Sequence, residues 1–298
     1  MKKTLLNIFS LLRKSCLLVS FSLISACAKP LLLPSDIREG EVGVDGQQLF
    51  NETFIAHGGL YFESVSDINI SIQGNWSFWA PRIQPDVADR HFRVSSQERY
   101  LPHSGIYTSY YTGPAGNKKV VRTPESIDIY YNDEKSTQAN LIQASAMTAD
   151  AFLLFSLGPL YLSTLETEFQ RLTDVVYKGQ HFLRVYSKIK PGLGYAEYDE
   201  VVLWIHPATK LTYRVDVTLK GYPPTEGAHV DVFYLDYVKL DQLTIPVHVI
   251  ENVVAPFHLK AHEWHVTGAD VNRGLIFDDI KGKGWSDKAA VPAKPFLN

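Results

Sequence analysis

Apolar and polar residues alternate along several stretches of this chain, in the pattern that a half-buried β-strand produces. In the longest stretch, residues 211–219, the apolar positions are Leu211, Tyr213, Val215, Val217 and Leu219. Because side chains point alternately to opposite faces of a strand, we expect Tyr213, Val215 and Val217 to face the core. Arg214 and Asp216 lie between them and are predicted to face solvent.

Shorter stretches of the same kind precede and follow this strand, with turn-rich residues between them. They lie at 68–73, 127–131, 201–205, 229–237, 244–251 and 260–267. Alternation of this kind is typical of an antiparallel sheet that packs on one face only. The sequence therefore predicts a mainly β domain built on one antiparallel sheet.

Two segments have helical rather than strand periodicity. One begins at Asp45, with Gln48 as a capping-box partner, and is ended by Gly58-Gly59. The other covers 137–157, is apolar almost all round at its end, and stops at Gly158-Pro159. A helix that is apolar all round has to be buried, and the sheet is the partner available to it.

The first residues have the three parts of a secretory signal: Lys2 and Lys3, an apolar stretch from Cys16 to Ala26, and small residues before Cys27. The sequence Ile24-Ser25-Ala26-Cys27 resembles the lipobox of bacterial lipoproteins. That resemblance implies cleavage before Cys27, acylation of its sulfur and attachment to a membrane through the acyl chains. Ala28 follows the cysteine, where lipoproteins of the inner membrane often have Asp, which favours the outer membrane.

Charge and cysteine content narrow the classes of function. Residues 1–26 contain four of the 29 basic residues and none of the 32 acidic ones, so the mature chain has a net charge of −7. An acidic chain is not expected to bind nucleic acid. Cys16 leaves with the signal, which excludes a disulfide and a cysteine-ligated cofactor in the mature protein.

The order of elements, together with the stretch from Val202 to Leu211, resembles the LolA/LolB superfamily of periplasmic lipoprotein carriers and their lipid-binding relatives. The resemblance covers about 45–270. It implies an unclosed antiparallel half-barrel with helices over its mouth as a lid, and a concave cavity for a hydrophobic or acylated ligand, such as a lipid or a lipoprotein. The residues then expected at the ligand are Phe152, Leu153, Phe155 and Leu157 of the apolar helix, with Trp204 and Tyr213.

The predicted organisation is a signal peptide at 1–26, a tether at 27–44, an α+β half-barrel domain at 45–281 and a loose tail at 282–298. An alternative function follows from the same segments. The apolar helix can simply complete a filled core, and the protein is then a non-enzymatic scaffold of the envelope. In that alternative the aromatic group Trp76, Phe78 and Trp79 is a contact surface if it is exposed, although packing is the favoured interpretation.

The sequence contains few candidates for catalytic, metal-binding or cofactor-binding residues. His258, His262 and His265 invite a metal hypothesis, but 262 and 265 should point to opposite faces of a strand. We find neither a nucleophile–base set nor a phosphate-binding glycine loop in the sequence. The sequence therefore predicts no catalytic residue, no metal ligand and no cofactor.

Overall fold

The computed structural model describes residues 31–32, 36, 44–254 and 258–285. The predicted signal peptide and the predicted acylation site Cys27 lie outside the described residues, as do most of the tether and residues 286–298 of the tail. Thirteen strands form one antiparallel sheet that does not close, so the predicted α+β half-barrel class is confirmed.

The bounds of the strands are β1 Ile68–Trp76, β2 Ser95–Leu101, β3 Ile106–Gly113, β4 Gly116–Arg122, β5 Ile127–Tyr131, β6 Glu134–Lys135, β7 Phe169–Tyr177, β8 Gln180–Ile189, β9 Asp199–Ile205, β10 Thr212–Thr218, β11 His229–Leu240, β12 Leu243–Val253 and β13 Leu259–Val271. Seven strands, β1, β5 and β9 to β13, lie on the predicted alternating stretches, whereas β2 to β4 and β6 to β8 were not predicted.

The sheet consists of two arms joined by the pairing of β1 with β13. Its strand order is β6-β5-β4-β3-β2-β1-β13-β12-β11-β10-β9-β8-β7. Each arm is therefore a simple meander, and the chain crosses from the outer edge of one arm to the outer edge of the other between β6 and β7. The predicted apolar helix makes this crossing.

Seven helices lie among the described residues. They are α1 Val44–Ala56, α2 Gly59–Phe62, α3 Ala80–Ile83, α4 Pro85–Ala88, α5 Ala139–Leu157, α6 Pro159–Leu162 and α7 Phe277–Ile280. The predicted N-terminal helix is thus α1, and the left-handed backbone of Gly58 ends it (φ 87°). The predicted apolar helix is α5.

Helix α1 covers the edge strand β7, which would otherwise expose unpaired backbone groups. The rings of Phe50 and Phe169 stack with centroids 3.6 Å apart. A Cβ atom at Gly46 would lie 2.2 Å from the carbonyl oxygen of Phe169, so only glycine permits this approach.

The main core lies between the concave face of the sheet and α5. All residues of α5 from 144 to 157 are buried. Inward-facing residues of both arms complete this core, among them Ile68, Ile70, Val201, Leu203, Val215, Val217, Val230, Val232 and Trp264. Helix α5 is also the one helix found among the described residues that is long and apolar enough to cross a membrane, and its burial in the protein core accounts for its composition.

The prediction that Tyr213 faces this core is wrong, although it is right for Val215 and Val217. Thr212 pairs with Ile205 and Arg214 pairs with Trp204, so Tyr213 is the extra residue of a β-bulge. The bulge shifts the alternation by one position and places Tyr213 on the convex face. Its ring stacks there on Phe182, with centroids 4.4 Å apart.

The predicted solvent face of β10 is also covered rather than open. Asp216 is buried and accepts a hydrogen bond from Trp204 Nε1 (2.8 Å) and another from the Arg214 guanidinium. A second apolar cluster forms around Trp204 on this face, built from Leu172, Phe182 and Val202.

Parts of the predicted tether and tail pack on the convex face. Leu31 and Leu32 contact the cluster around Trp204, and Asp36 Oδ1 accepts a hydrogen bond from Arg184 (2.7 Å). At the other end of the described chain, Trp285 donates to Gln97 Oε1 (3.0 Å) and lies under the Arg99 guanidinium. Described residues on either side of the predicted 45–281 domain thus contact the sheet.

Candidate functional site

The interior beneath the second half of α5 is filled. Phe152 and Phe155 both pack against the ring of Trp264, at centroid distances of 5.2 and 6.2 Å. An opening between α5 and strands β1 to β3 measures only about 10 Å³, and Phe152, Leu153 and Leu157 line it. A space of this size admits about one water molecule and no acyl chain.

Helix α5 is held to both arms by polar contacts along its length. Asp150 accepts two hydrogen bonds from Arg122 of β4, both at 3.1 Å, and one from the backbone N–H of Gly194 (2.7 Å). The hydroxyl of Tyr234 donates to the carbonyl of Leu154 (3.0 Å). Swinging α5 outward as a lid would expose its core residues and break these contacts, so α5 is an internal crossover that completes the core.

The six residues predicted at the ligand do not form one site. Phe152, Leu153, Phe155 and Leu157 belong to the concave core, whereas Trp204 and Tyr213 belong to the cluster on the convex face. The sheet separates the two groups because Trp204 pairs with Arg214, and both point away from α5. A cavity lined by all six is therefore ruled out by the register of β9 and β10.

A cleft of about 410 Å³ lies instead where the two arms approach each other. It is bounded by α1, α2, the turn after β2, and the segment from α6 to the start of β7. Its apolar walls are Phe50, Phe54, Phe62, Pro102, Leu162, Leu165 and Phe169. Its polar residues are Gln47, Asn51, Glu63, His103, Ser163, Thr164 and Thr167. The buried residues on this boundary are all apolar, so the cleft has a hydrophobic floor and a polar rim.

His57 fixes the C-terminal end of α1 beside this cleft. Its Nδ1 lies 2.9 Å from the carbonyl oxygen of Thr244, and its Nε2 accepts a hydrogen bond from the backbone N–H of Thr212 (3.1 Å). Burial lowers the pKa of His57 to about 4, so the ring is neutral at neutral pH. A neutral ring with Nδ1 protonated satisfies both contacts and ties α1 to β12 and β10.

Part of this cleft belongs to the predicted N-terminal helix. Phe50 and Phe54 stand on one face of the predicted N-terminal helix. That periodicity predicts burial but does not say against what. Leu162, Leu165 and Phe169 belong to a segment for which the sequence analysis predicts no element. The cleft depends on the approach of β2 to β7, which are far apart both in the chain and in the sheet.

The three histidines of the metal hypothesis lie in three environments. His262 is buried on the concave face and stacks on Trp76, with ring centroids 4.0 Å apart. His258 lies at the surface with Nε2 3.1 Å from Asp231 Oδ2, and His265 is exposed on the convex face. This trio cannot bind one ion, because opposite faces of β13 separate His262 from His265.

The aromatic group at 76–79 is divided as well. Trp76 is half-buried, whereas Phe78 and Trp79 are 63% and 56% exposed, and Ile83 beside them is 59% exposed. The favoured interpretation, that this group packs inside the sheet, is therefore wrong for Phe78 and Trp79. We refer to Phe78, Trp79 and Ile83 as the aromatic patch.

Comparison with protein-family profiles and with curated protein sequences gives no match. Several solved structures are similar in fold. A DUF1329 family protein from Desulfovibrio piger is 12% identical, with a TM-score of 0.49, and the match covers 79% of this chain and 96% of that one. A LolA superfamily protein from Nitrosomonas europaea is 10% identical, with a TM-score of 0.46, over 79% and 97% of the two chains.

A third structure is a candidate outer membrane lipoprotein-sorting protein domain from Vibrio parahaemolyticus. It is 12% identical, with a TM-score of 0.41, and the match covers 80% of this chain and 96% of that chain. The superfamily that the sequence resembles is thus represented among the similar structures. Identities of 10–12% relate these structures to this chain by fold alone.

Proposed function

We propose that this chain is a lipoprotein of the bacterial envelope that binds one hydrophobic or acylated ligand in the cleft between α1 and α6. The observation that carries the proposal is the cleft itself, an opening of about 410 Å³ with three phenylalanines of α1 and α2 in its wall. Small-molecule sites are typically clefts of about 300–1,000 Å³ with mainly apolar walls and a few polar groups.

Binding would be driven by removal of alkyl surface from water. Each buried methylene contributes about 0.8 kcal/mol, so even a short acyl segment on the floor of the cleft would bind appreciably. The rim residues Asn51, Glu63 and His103 offer hydrogen bonds to a polar head group at the mouth. We propose binding rather than catalysis, since the lining combines isolated polar groups with apolar walls.

The membrane anchor is the second part of the proposal and rests on the sequence. Acylation of Cys27 would hold the domain at a membrane, and Ala28 favours the outer one. Replacing Cys27 by Ser should leave an unprocessed precursor that takes up no radiolabelled fatty acid. Normal maturation of that variant would contradict the lipoprotein assignment.

The cleft is tested by titration with a fluorescent fatty acid. Asn51→Trp places a large ring at the exposed rim of the cleft on α1, and Gln48→Trp makes the same change on an exposed position of α1 outside the cleft. We expect Asn51→Trp to weaken binding at least tenfold and Gln48→Trp to bind as the wild type does. Equal binding by both variants would remove the cleft as the site.

The envelope scaffold is a second candidate function, and the aromatic patch favours it. Exposed clusters of large apolar residues are typical of contact surfaces. The Arg82 guanidinium stacks 3.6 Å above the Phe78 ring and adds a charge at the centre of the patch. The same titration separates the two functions, because a wild-type protein that takes up no apolar probe would leave the scaffold as the better account.

A further inference from the structure

A row of potential metal ligands crosses β11, β12 and β13 on the convex face. Asp236 pairs with His248, and His248 pairs with His265. Directly paired residues on neighbouring strands have Cβ atoms about 4.5–5.5 Å apart and point to the same face. Glu263 lies two residues before His265 on β13 and therefore shares that face.

The ligand atoms of this row lie close to one another. His248 Nε2 is 2.8 Å from Glu263 Oε1, and His248 Nδ1 is 3.4 Å from Asp236 Oδ2. The His248 and His265 rings lie with centroids 4.1 Å apart. One ligand atom from each of His248, Glu263 and His265 can be chosen so that all lie within 4.8 Å of one another.

These spacings are near those of a tetrahedral ion. Zinc bonds of about 2.0–2.2 Å imply ligand atoms roughly 3.3–3.6 Å apart. The His248 and His265 rings are stacked, so side-chain rotation would have to bring their nitrogens to that separation. The strands supply the rigid part of the arrangement.

Lys260 orients the carboxylate of Glu263. Its Nζ forms an ion pair with Glu263 Oε2, which leaves Oε1 directed at His248.

We propose that His248, Glu263 and His265 bind a divalent transition-metal ion of the zinc type, with water as the fourth ligand. Two imidazoles and one carboxylate are a typical zinc ligand set, whereas calcium and magnesium prefer oxygen ligands alone. The ion would join β12 to β13 on the face opposite α5. This proposal is independent of ligand binding in the cleft.

The test is titration of the tag-free, full-length mature protein with zinc, followed by calorimetry, and with cobalt, followed by visible absorption. We expect saturable binding of one zinc ion and the intense visible bands of tetrahedral cobalt. His248→Gln and His265→Gln should each weaken zinc binding by about tenfold or more and remove the cobalt bands.

A matched control is His181→Gln. His181 also stands at the surface beside a carboxylate, with its Nε2 3.1 Å from Asp174 Oδ2, but it has no second histidine in its cluster. This variant should bind zinc as the wild type does. The proposal is overturned if the wild type shows no saturable binding of one ion, or if His248→Gln and His265→Gln bind as tightly as His181→Gln.

Discussion

The two faces of the same sheet are stabilised in different ways. On the concave face, the residues that meet α5 are almost all apolar. The opening between α5 and strands β1 to β3 measures only about 10 Å³. On the convex face of β7 to β11, aromatic rings alternate with buried charges, and Trp204 lies between the guanidinium groups of Arg184 and Arg214. Helix α5 covers the concave face, whereas Leu31, Leu32 and Asp36 contact the convex face.

This difference shows what the alternation of apolar and polar residues in a strand predicts and what it does not. Alternation locates the apolar face of a strand, because only burial against a core accounts for an unbroken row of branched side chains. It does not show that the polar face meets water. Arg214 and Asp216 look the same in the sequence whether they are solvated or paired beneath neighbouring aromatic rings.

The largest effect is expected on the concave face. Phe155→Asp should prevent folding, because the side chain is 2% exposed and its charge has no route to water. Phe152, Leu153 and Leu157 should behave in the same way. Phe78→Asp, the same change at an exposed aromatic residue, should melt normally. Thermal melting by circular dichroism checks the set, and four α5 variants that melt like the wild type would show that α5 is peripheral after all.

A smaller but still large effect is expected on the convex face. Asp216→Ala should lower the free energy of unfolding by about 3 kcal/mol, because it leaves the Trp204 N–H and the Arg214 guanidinium without this acceptor. Asp216→Asn keeps an acceptor for the indole N–H and should cost less. Urea denaturation measures both. A cost near zero for the alanine variant would mean that this face is solvated, as the alternation alone predicts.

A pH-dependent effect should distinguish the concave face further. Burial raises the pKa of Glu98 to about 7, from 4.5. The folded protein therefore holds this proton more tightly than the unfolded chain does. The resulting stability is fully present below about pH 4.5 and is lost as the pH rises through about 7, by up to about 3 kcal/mol. Glu98→Gln cannot lose this proton, so the wild type should lose stability relative to Glu98→Gln over that range.

The comparison is made by measuring the free energy of unfolding of both proteins from pH 4.5 to 8. Glu251, with a pKa raised to about 7 by burial, and His57, lowered to about 4 by burial, titrate in both proteins and cancel in the difference. A difference that does not change with pH would show that Glu98 is hydrated in the folded state.

Part of the fold was predictable from the sequence, and most of the candidate site was not. Seven of the thirteen strands, α1 and α5 follow from local periodicity, whereas β2 to β4 and β6 to β8 do not. The bulge at Tyr213 does not, since nothing in an alternating stretch indicates which residue will be left unpaired. Phe50 and Phe169 line a common cleft because α1 packs on β7, a contact between residues more than one hundred positions apart in the chain.

The metal-ligand row on β11 to β13 illustrates the same limit. His248 and His265 are seventeen residues apart, and only the register of β12 with β13 makes them neighbours. His258, His262 and His265 are close in the sequence, yet β13 directs His262 and His265 to opposite faces and His258 lies before that strand. The register of the strands therefore determines which potential metal ligands lie next to each other.

The central claim is that the cleft between α1 and α6 holds an apolar or acylated ligand. The most direct test is mass spectrometry of the organic extract of protein secreted without its acyl anchor, comparing wild type with Asn51→Trp and Gln48→Trp. We expect an alkyl-chain compound in stoichiometric amount with the wild type and Gln48→Trp, and a strong depletion of that compound with Asn51→Trp. An extract with no such compound from the wild type, or the same amount from all three proteins, would contradict the claim.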